Sequence, residues 1–384
     1  MIVGFDGTIL REPKTGIGYY TYFLIRYLAA QGDMEPRLFD GLRMTVASST
    51  GTAAGGESGR TRKIVSTLRS STLARALWRQ ARSVSFRRIS GEVDIFHATN
   101  YLPPGPIGVP WLPLIHDVSH LRHPEWHPVE RVRFLERRSG EFARAPLVNT
   151  VSRFSASEIE ATLAIPADRI RVTYPGTNPF YEVPAPPREV KETLAAVDVQ
   201  PGRFFLSVGT LEPRKNLTTI IAAYEALPMT RKAKFPLIVV GPPGWGDLRL
   251  PSGAQALERA GALRFVGYAN EPTMRALYQE CAAFLFPSSY EGFGMPVSEA
   301  LAMGARPIVA RGGAPEEVAD GHGIALDPFD TDAWRQALIR AAEENWHGDV
   351  LLRQQLGQAG KRFSWQENAL ATRRIYQDLV GASG

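Results

Sequence analysis

The 384-residue chain has one cysteine, Cys281, so no disulfide framework can form within it. Cys281 precedes the apolar run Ala282-Ala-Phe-Leu-Phe286, where it is expected to pack in a core, and a reducing compartment suits it. No apolar run approaches the ~20 residues that span a bilayer. The opening Met1-Ile-Val-Gly-Phe5 reads as a strand without the basic and apolar regions of a secretory leader, so a cytoplasmic location is expected. Acidic residues are absent from Ser58 to Gly91, which instead holds nine cations: Arg60, Arg62, Lys63, Arg69, Arg75, Arg79, Arg82, Arg87 and Arg88. Leu73, Leu77, Trp78, Val84 and Phe86 supply an imperfect helical stripe there. Residues 60–88 can therefore lie on an anionic membrane surface, such as the inner face of the cytoplasmic membrane. A solvated helix face is the competing reading. Zinc ligands, an RNP-like strand and a basic zipper are all lacking, so nucleic acid is not an expected partner, and no repeat of solenoid period is present.

What is present suits an α/β protein of two domains. A 44% hydrophobic chain of this length can bury two ordinary cores, and helix and strand patterns alternate along most of it. Strands are expected at 2–5, 94–98, 111–115 and 147–151, and again at 203–209, 236–241, 263–267, 282–286 and 306–310. Residues 48–62, rich in Ser, Thr and Gly, read as a loop. The Pro-rich stretch Val183-Pro-Ala-Pro-Pro187 reads as an interdomain linker and hinge. Helical patterns follow at 331–345 and 349–362, and a last one follows a Ser364 cap.

The most informative segment is Ser288-Ser-Tyr-Glu-Gly-Phe-Gly-Met-Pro-Val-Ser-Glu299. It follows a short buried strand, and Pro296 suits the first turn of a helix, which closes at Gly304. Glu291 thus falls on a loop and Glu299 near the helix start, with the amides of Gly292, Phe293, Gly294 and Met295 between them. Such amides attract anionic or hydroxyl oxygens, and carboxylates beside them can accept hydrogen bonds from a polyol. A favourable charge near a helix N-terminus is the competing reading of Glu299.

Three other places carry charge or close backbone approach. Gly16 and Gly18 lie between the first strand and a helix over Tyr19–Leu28, where a diphosphate can reach the amides, although an ordinary turn gives the same pattern. Arg214 and Lys215 follow a strand and precede a helix that Asn216 is expected to cap. They can neutralise a diphosphate, the first by a fork of donors and the second as a compact charge. His116 and Asp117 close a strand, the end that faces the crevice of an α/β sheet; a packed core histidine is the alternative. His120, His123 and His127 follow without a defined ligand geometry. Asp330-Thr-Asp332 resembles a metal-binding acidic string but precedes a helical pattern and reads as a cap.

The ordered set Gly16-x-Gly18, His116, Arg214-Lys215 and Glu291-x7-Glu299 resembles retaining glycosyltransferases of family 4, and the N-terminal half is similar to bacterial mannosyltransferases that build surface polysaccharides. The resemblance implies the GT-B fold, two Rossmann-like domains facing a cleft. Residues 1–182 would form the acceptor domain and 183–364 the nucleotide-sugar domain, with 365–384 a helix returning to the first. It further implies that Glu291 contacts the donor hexose and Glu299 the ribose, and that His116 helps organise the reaction centre. Arg214, Lys215 and the Gly16–Gly18 amides would hold the diphosphate. Gly241, Val266 and Tyr268, with Met274, would lie near the base, and Asp117, Ser152 and Arg153 near donor or acceptor. The expected reaction is metal-independent and needs no cofactor. Its donor substrate is a nucleotide-diphosphate sugar, first GDP-mannose, and its acceptor a saccharide or lipid-linked oligosaccharide. A sugar-nucleotide epimerase of the same fold and a non-catalytic membrane or nucleic-acid binder are the alternatives.

Overall fold

The computed structural model describes residues 1–10, 16–47, 72–244, 246 and 250–381, with the backbone alone for 72–77 and 79. Two sheets organise them. The first contains β1 (Ile2–Asp6), β2 (Glu35–Phe39), β3 (Met44–Val46), β4 (Ile95–Ala98), β5 (Trp111–Ile115), β6 (Val148–Thr150) and β7 (Ile170–Val172). Their spatial order is β3-β2-β1-β4-β5-β6-β7, parallel except for β3, which runs antiparallel to β2. The second contains β8 (Phe205–Val208), β9 (Leu237–Val240), β10 (Leu263–Gly267), β11 (Ala283–Phe286), β12 (Pro307–Ala310) and β13 (Ile324–Leu326). It is parallel throughout, in the order β10-β9-β8-β11-β12-β13.

Both sheets carry helices on their faces, so their central strands are apolar on both sides, as buried parallel strands are. Val3, Phe5, Ile95, Leu112 and Leu114 pack with Leu24 and Leu28 of the helix Gly16–Ala29, all fully buried. Leu206, Ile238 and Phe284 on one face of the second sheet, and Phe205, Leu285 and Ile308 on the other, do the same. Cys281 is buried just before β11, as a core residue.

The order of strands decides where chemistry can occur. In the first sheet the chain builds outward from β1 through β2 and β3, then returns to build β4 to β7 on the other side. The second repeats the plan, with β8 flanked by β9 and β11. The loops leaving β8 and β11 therefore emerge side by side at the reversal point, where ligands bind in open α/β sheets.

The helix Trp365–Gly381 packs on the helix Gly16–Ala29 of the first sheet. Ser364 Oγ accepts from the Gln366 and Glu367 amides at its start. Trp365 then stacks on Phe23 at 5.2 Å and meets Tyr20 edge-on. Tyr376 OH lies 2.7 Å from His97 Nδ1, and Asn368 Nδ2 donates to Tyr174 O at 2.8 Å.

Two local expectations change. Gly16 and Gly18 lie inside the first turn of their helix, which starts at Gly16 instead of Tyr19. The amides there remain free of intrahelical partners, because the first turn of any helix leaves them so. Asn216 has a left-handed backbone and does not cap by an amide bond. Its Nδ2 donates to Pro328 O at 2.5 Å, and Thr219 Oγ1 donates to its Oδ1 at 2.9 Å, so it ties loops together. Asp330 does cap, accepting from Ala333 N at 2.9 Å.

Of the basic segment, residues 48–71 and the side chains of Leu73, Arg75, Leu77 and Arg79 lie outside the described residues, as does the 48–62 loop. In the helix Thr72–Ile89, Phe86 is buried against Phe39 and Phe96, and Arg82 pairs with Asp6. Trp78 and Val84 remain exposed. Among the described residues no helix is long and apolar enough to cross a membrane.

Candidate active site

Arg214 and Lys215 occupy a tight turn, Pro213–Lys215, after β8, and Glu291 lies on the loop after β11. The loops are joined by the Ser289 amide, which donates to Arg214 O at 2.9 Å. Glu291 sits between the cations: Arg214 Nη1 donates to its Oε2 at 2.6 Å and Lys215 Nζ to its Oε1. Arg214 also lies 2.6 Å from Glu212, which is almost wholly buried. Burial pushes the Glu291 carboxyl up, but Arg214 and Lys215 outweigh it and leave it at about 2. Burial, then repulsion from Arg214, lowers the Lys215 amine.

Glu299 lies in the helix Met295–Ala302, whose start follows Gly294. Its carboxylate does not bond the helix amides; Tyr278 OH donates to its Oε2 at 3.0 Å. Burial pushes the group up to about 8, against the pull of that hydrogen bond, with Glu271 adding repulsion. Glu299 lines a cavity of about 170 Å³ between the two sheets, together with Tyr19, Phe23 and Trp365 from one side and Tyr268, Glu271, Met274 and Met295 from the other. Such a group penalises the folded state once ionised. The penalty is absent below the ordinary 4.5 and grows as pH rises toward about 8. Glu299→Gln keeps an acceptor for Tyr278 and removes the ionisation. We expect it to raise the ligand-free melting temperature by about 2–4 °C at pH 8.5 and to leave it unchanged at pH 4.5. Equal shifts at both values, read by calorimetry, would contradict this account.

The first sheet closes over the same place. His116 follows β5, and its Nε2 lies 2.9 Å from Thr99 O. A carbonyl can only accept, so Nε2 carries the proton. Tyr20 meets the His116 ring edge-on, and burial lowers the pKa of the His116 imidazole. Gly292 permits a close approach here: a Cβ on it would stand 2.1 Å from His116 O. Ser152 Oγ donates to Gly292 O at 2.6 Å while accepting from Ser155 N as a helix cap. Phe293 is buried against Tyr174 and Phe363. The Arg153 side chain is exposed; the residue contributes its amide, which with that of Phe154 donates to the Glu317 carboxylate at 3.0 and 2.9 Å. Tyr174 OH donates to the same carboxylate at 2.6 Å.

The structure thus brings Arg214, Lys215, Glu291, His116 and Ser152 together, and places Met295, Glu299 and Tyr268 around the adjoining cavity. Gly241 and Val266 do not line that cavity. A Cβ on Gly241 would stand 1.9 Å from Gly209 O, so this glycine lets the ends of β8 and β9 meet, and Val266 is partly buried in β10. Tyr278, Glu212, Ser155 and Glu317 were not expected from the sequence. Only the acid at 317 carries a signal, as one of two carboxylates in the first turn of a short helix. Among the described residues no three His, Cys, Asp or Glu side chains are grouped to hold a metal.

Two doubly wound sheets facing a cleft, with a terminal helix crossing back, define the GT-B glycosyltransferase architecture. Solved structures share it across the chain. Sucrose-phosphate synthase from Thermosynechococcus elongatus aligns with a TM-score of 0.69 at 19% identity, covering 99% of each chain. WaaG, a glycosyltransferase of lipopolysaccharide biosynthesis, aligns at 0.63 and 15%, covering 99% of this chain and all of that one. Residues 14–179 match the family described as Glycosyltransferase Family 4, and residues 196–363 that described as Glycosyl transferases group 1. The O-antigen chain mannosyltransferase B of Escherichia coli is 30% identical over 378 residues, 96% of this chain and 98% of that protein. The serotype-specific mannosyltransferase WbdA of Escherichia coli is 28% identical over 68% of this chain, which spans only 33% of WbdA's length. The chain belongs to glycosyltransferase family 4, and it is a glycosyltransferase.

Proposed function

We propose that this enzyme transfers mannose from GDP-mannose, with retention and without a catalytic metal, to a saccharide or lipid-linked oligosaccharide acceptor in surface-polysaccharide synthesis. The observation that carries the donor site is Glu291 held between Arg214 and Lys215 at the sheet's reversal point, beside a cavity that ends on Glu299. Similarity to an O-antigen mannosyltransferase over nearly the whole length supports the sugar and the pathway class.

In this reading the diphosphate lies between Arg214, Lys215 and the Gly16–Gly18 amides, which stabilise the charge developing on the leaving group. Such preorganised stabilisation is commonly the largest contribution to lowering a barrier. Glu291 holds a hexose hydroxyl and His116 closes the opposite wall. The acceptor attacks from the face that the nucleotide leaves, and a leaving phosphate oxygen takes its proton. Glu299 accepts the ribose hydroxyls, which favour its ionised form. Donor affinity is therefore expected to rise with pH toward about 8, by up to ~10-fold per unit, and to flatten in Glu299→Gln. The exposed Arg87 and Arg88 at the end of the helix Thr72–Ile89 suit a peripheral location on the cytoplasmic side of a membrane.

A panel of nucleotide sugars screened by thermal shift tests the donor, since a ligand stabilises the folded state by mass action. GDP-mannose should give the largest rise; no response to any would overturn the reading. An α-linked product formed equally fast in excess chelator is expected. A β-linked product or loss of rate with chelator would overturn retention or metal independence, and release of an epimerised donor without an acceptor would favour the epimerase.

A further inference from the structure

The donor site leaves one ionised group in the cleft without a task. Asp117 follows His116 at the C-terminal end of β5, directly opposite Gly292: a Cβ on that glycine would lie 3.5 Å from Asp117 Cβ. Its hydrogen bonds converge on one oxygen. Oδ1 accepts from Ser119 N at 2.9 Å and Ser119 Oγ at 2.6 Å, with Tyr101 OH at 3.5 Å, while Oδ2 has no hydrogen bond among the described residues.

A second residue pair fixes that orientation. His127 Nε2 lies 2.9 Å from Ser119 Oγ. Because the Ser119 hydroxyl proton points to Asp117, the imidazole must be the donor, which gives a one-way chain from His127 through Ser119 to Asp117. His127 Nδ1 is then a bare lone pair, buried and without a partner among the described residues. Tyr101 packs edge-on to His116 and His120 from a left-handed backbone, φ 68°. A bulky residue in that region is an outlier that surrounding structure must impose, and such strain gathers at functional sites. Burial pushes the Asp117 carboxyl up, but Arg214 across the cleft and both Ser119 hydrogen bonds hold it below its ordinary range.

A carboxylate pinned through one oxygen, with the other unengaged beside the reaction centre, is built to accept a hydroxyl. Oriented binding of the reacting hydroxyl can account for much of a transfer barrier. We propose that Asp117 is the positioning residue for the acceptor, its Oδ2 taking a hydroxyl of the incoming saccharide while Ser119 and His127 lock the carboxylate plane. The inference rests on the proposed transfer from a nucleotide sugar. The shared chemistry is a sugar hydroxyl, and the test separates acceptor from donor.

Wild type, Asp117→Asn and Ser119→Ala proteins would be compared with GDP-mannose as donor and octyl α-mannoside as acceptor. Donor affinity is read calorimetrically without acceptor, and KM and kcat from nucleotide release. For Asp117→Asn the acceptor KM should rise about 10- to 100-fold, the effect of losing a hydrogen bond to a charged group, while donor Kd stays within about twofold. Ser119→Ala, which loosens the carboxylate without removing it, should raise the acceptor KM about 3- to 10-fold. Weakened donor binding in Asp117→Asn would move the residue to the donor side and overturn the proposal, as would an unchanged acceptor KM. Should Asp117→Asn not fold, the Ser119→Ala result decides in the same way. Failure of the wild type to transfer to this acceptor overturns the functional reading itself, a result distinct from a selective effect of the variants.

Discussion

The Lys215→Ala enzyme is expected to keep its fold and lose about 100- to 1,000-fold in kcat, the usual consequence of removing one preorganised group from a developing anion. The fold survives because Glu291 is not stranded: Arg214 still donates to it, and the loop remains joined through Ser289. What disappears is a compact charge held over the Phe286 ring at 5.2 Å and aimed at the same space as the guanidinium of Arg214. Arginine at 215 should restore little, since its planar fork is larger than the ammonium it replaces and the site is only 12% exposed. Nucleotide release at saturating donor, beside the melting temperature, is the measurement. A fall of less than tenfold in a folded variant would place the diphosphate elsewhere.

Glu291→Ala acts on stability first. It leaves two half-buried cations facing one another, with Arg214 retaining Glu212 and Lys215 retaining no ion-pair partner among the described residues. Removing one member of a buried ion cluster costs about 3–5 kcal/mol, expected here as a lower urea midpoint for the second sheet and its helices. The sign with pH follows from the low folded pKa. Stability from Glu291 is complete above the ordinary 4.5 and is lost as pH falls toward about 2. The gap between wild type and variant should therefore narrow across that window. GDP offers a second check, because its diphosphate supplies the missing anion and should stabilise the variant more than the wild type. Equal stabilisation of the two would separate the cation pair from the nucleotide site.

Long apolar runs made most of the strands legible. Trp111–Ile115 and Leu263–Gly267 coincide with expectation, and the neighbours of β8 and β11 differ by a residue or two. Four strands escaped for physical reasons. In β2 Pro36 and Arg37 break the apolar pattern, while β3, β7 and β13 are three-residue edge strands too short to show a period. The site was legible as residues but not as a cluster. That Glu291 should meet Arg214, 77 positions earlier, requires β8 and β11 to be neighbours, which no local pattern encodes. Tyr278 illustrates the limit: it looks like any helical core aromatic, yet its hydroxyl is the Glu299 partner.

The last helix has a consequence for the order in which the chain can mature. Tyr20 and Phe23 are synthesised hundreds of residues before Trp365, the ring that covers them. Domains ordinarily fold as they leave the ribosome, N-terminal first. Here the first one must wait, its aromatic face uncovered, until the second has been made. A nascent chain halted before residue 365 would carry that sticky surface permanently, which makes the final helix a seal on work begun at the opposite end.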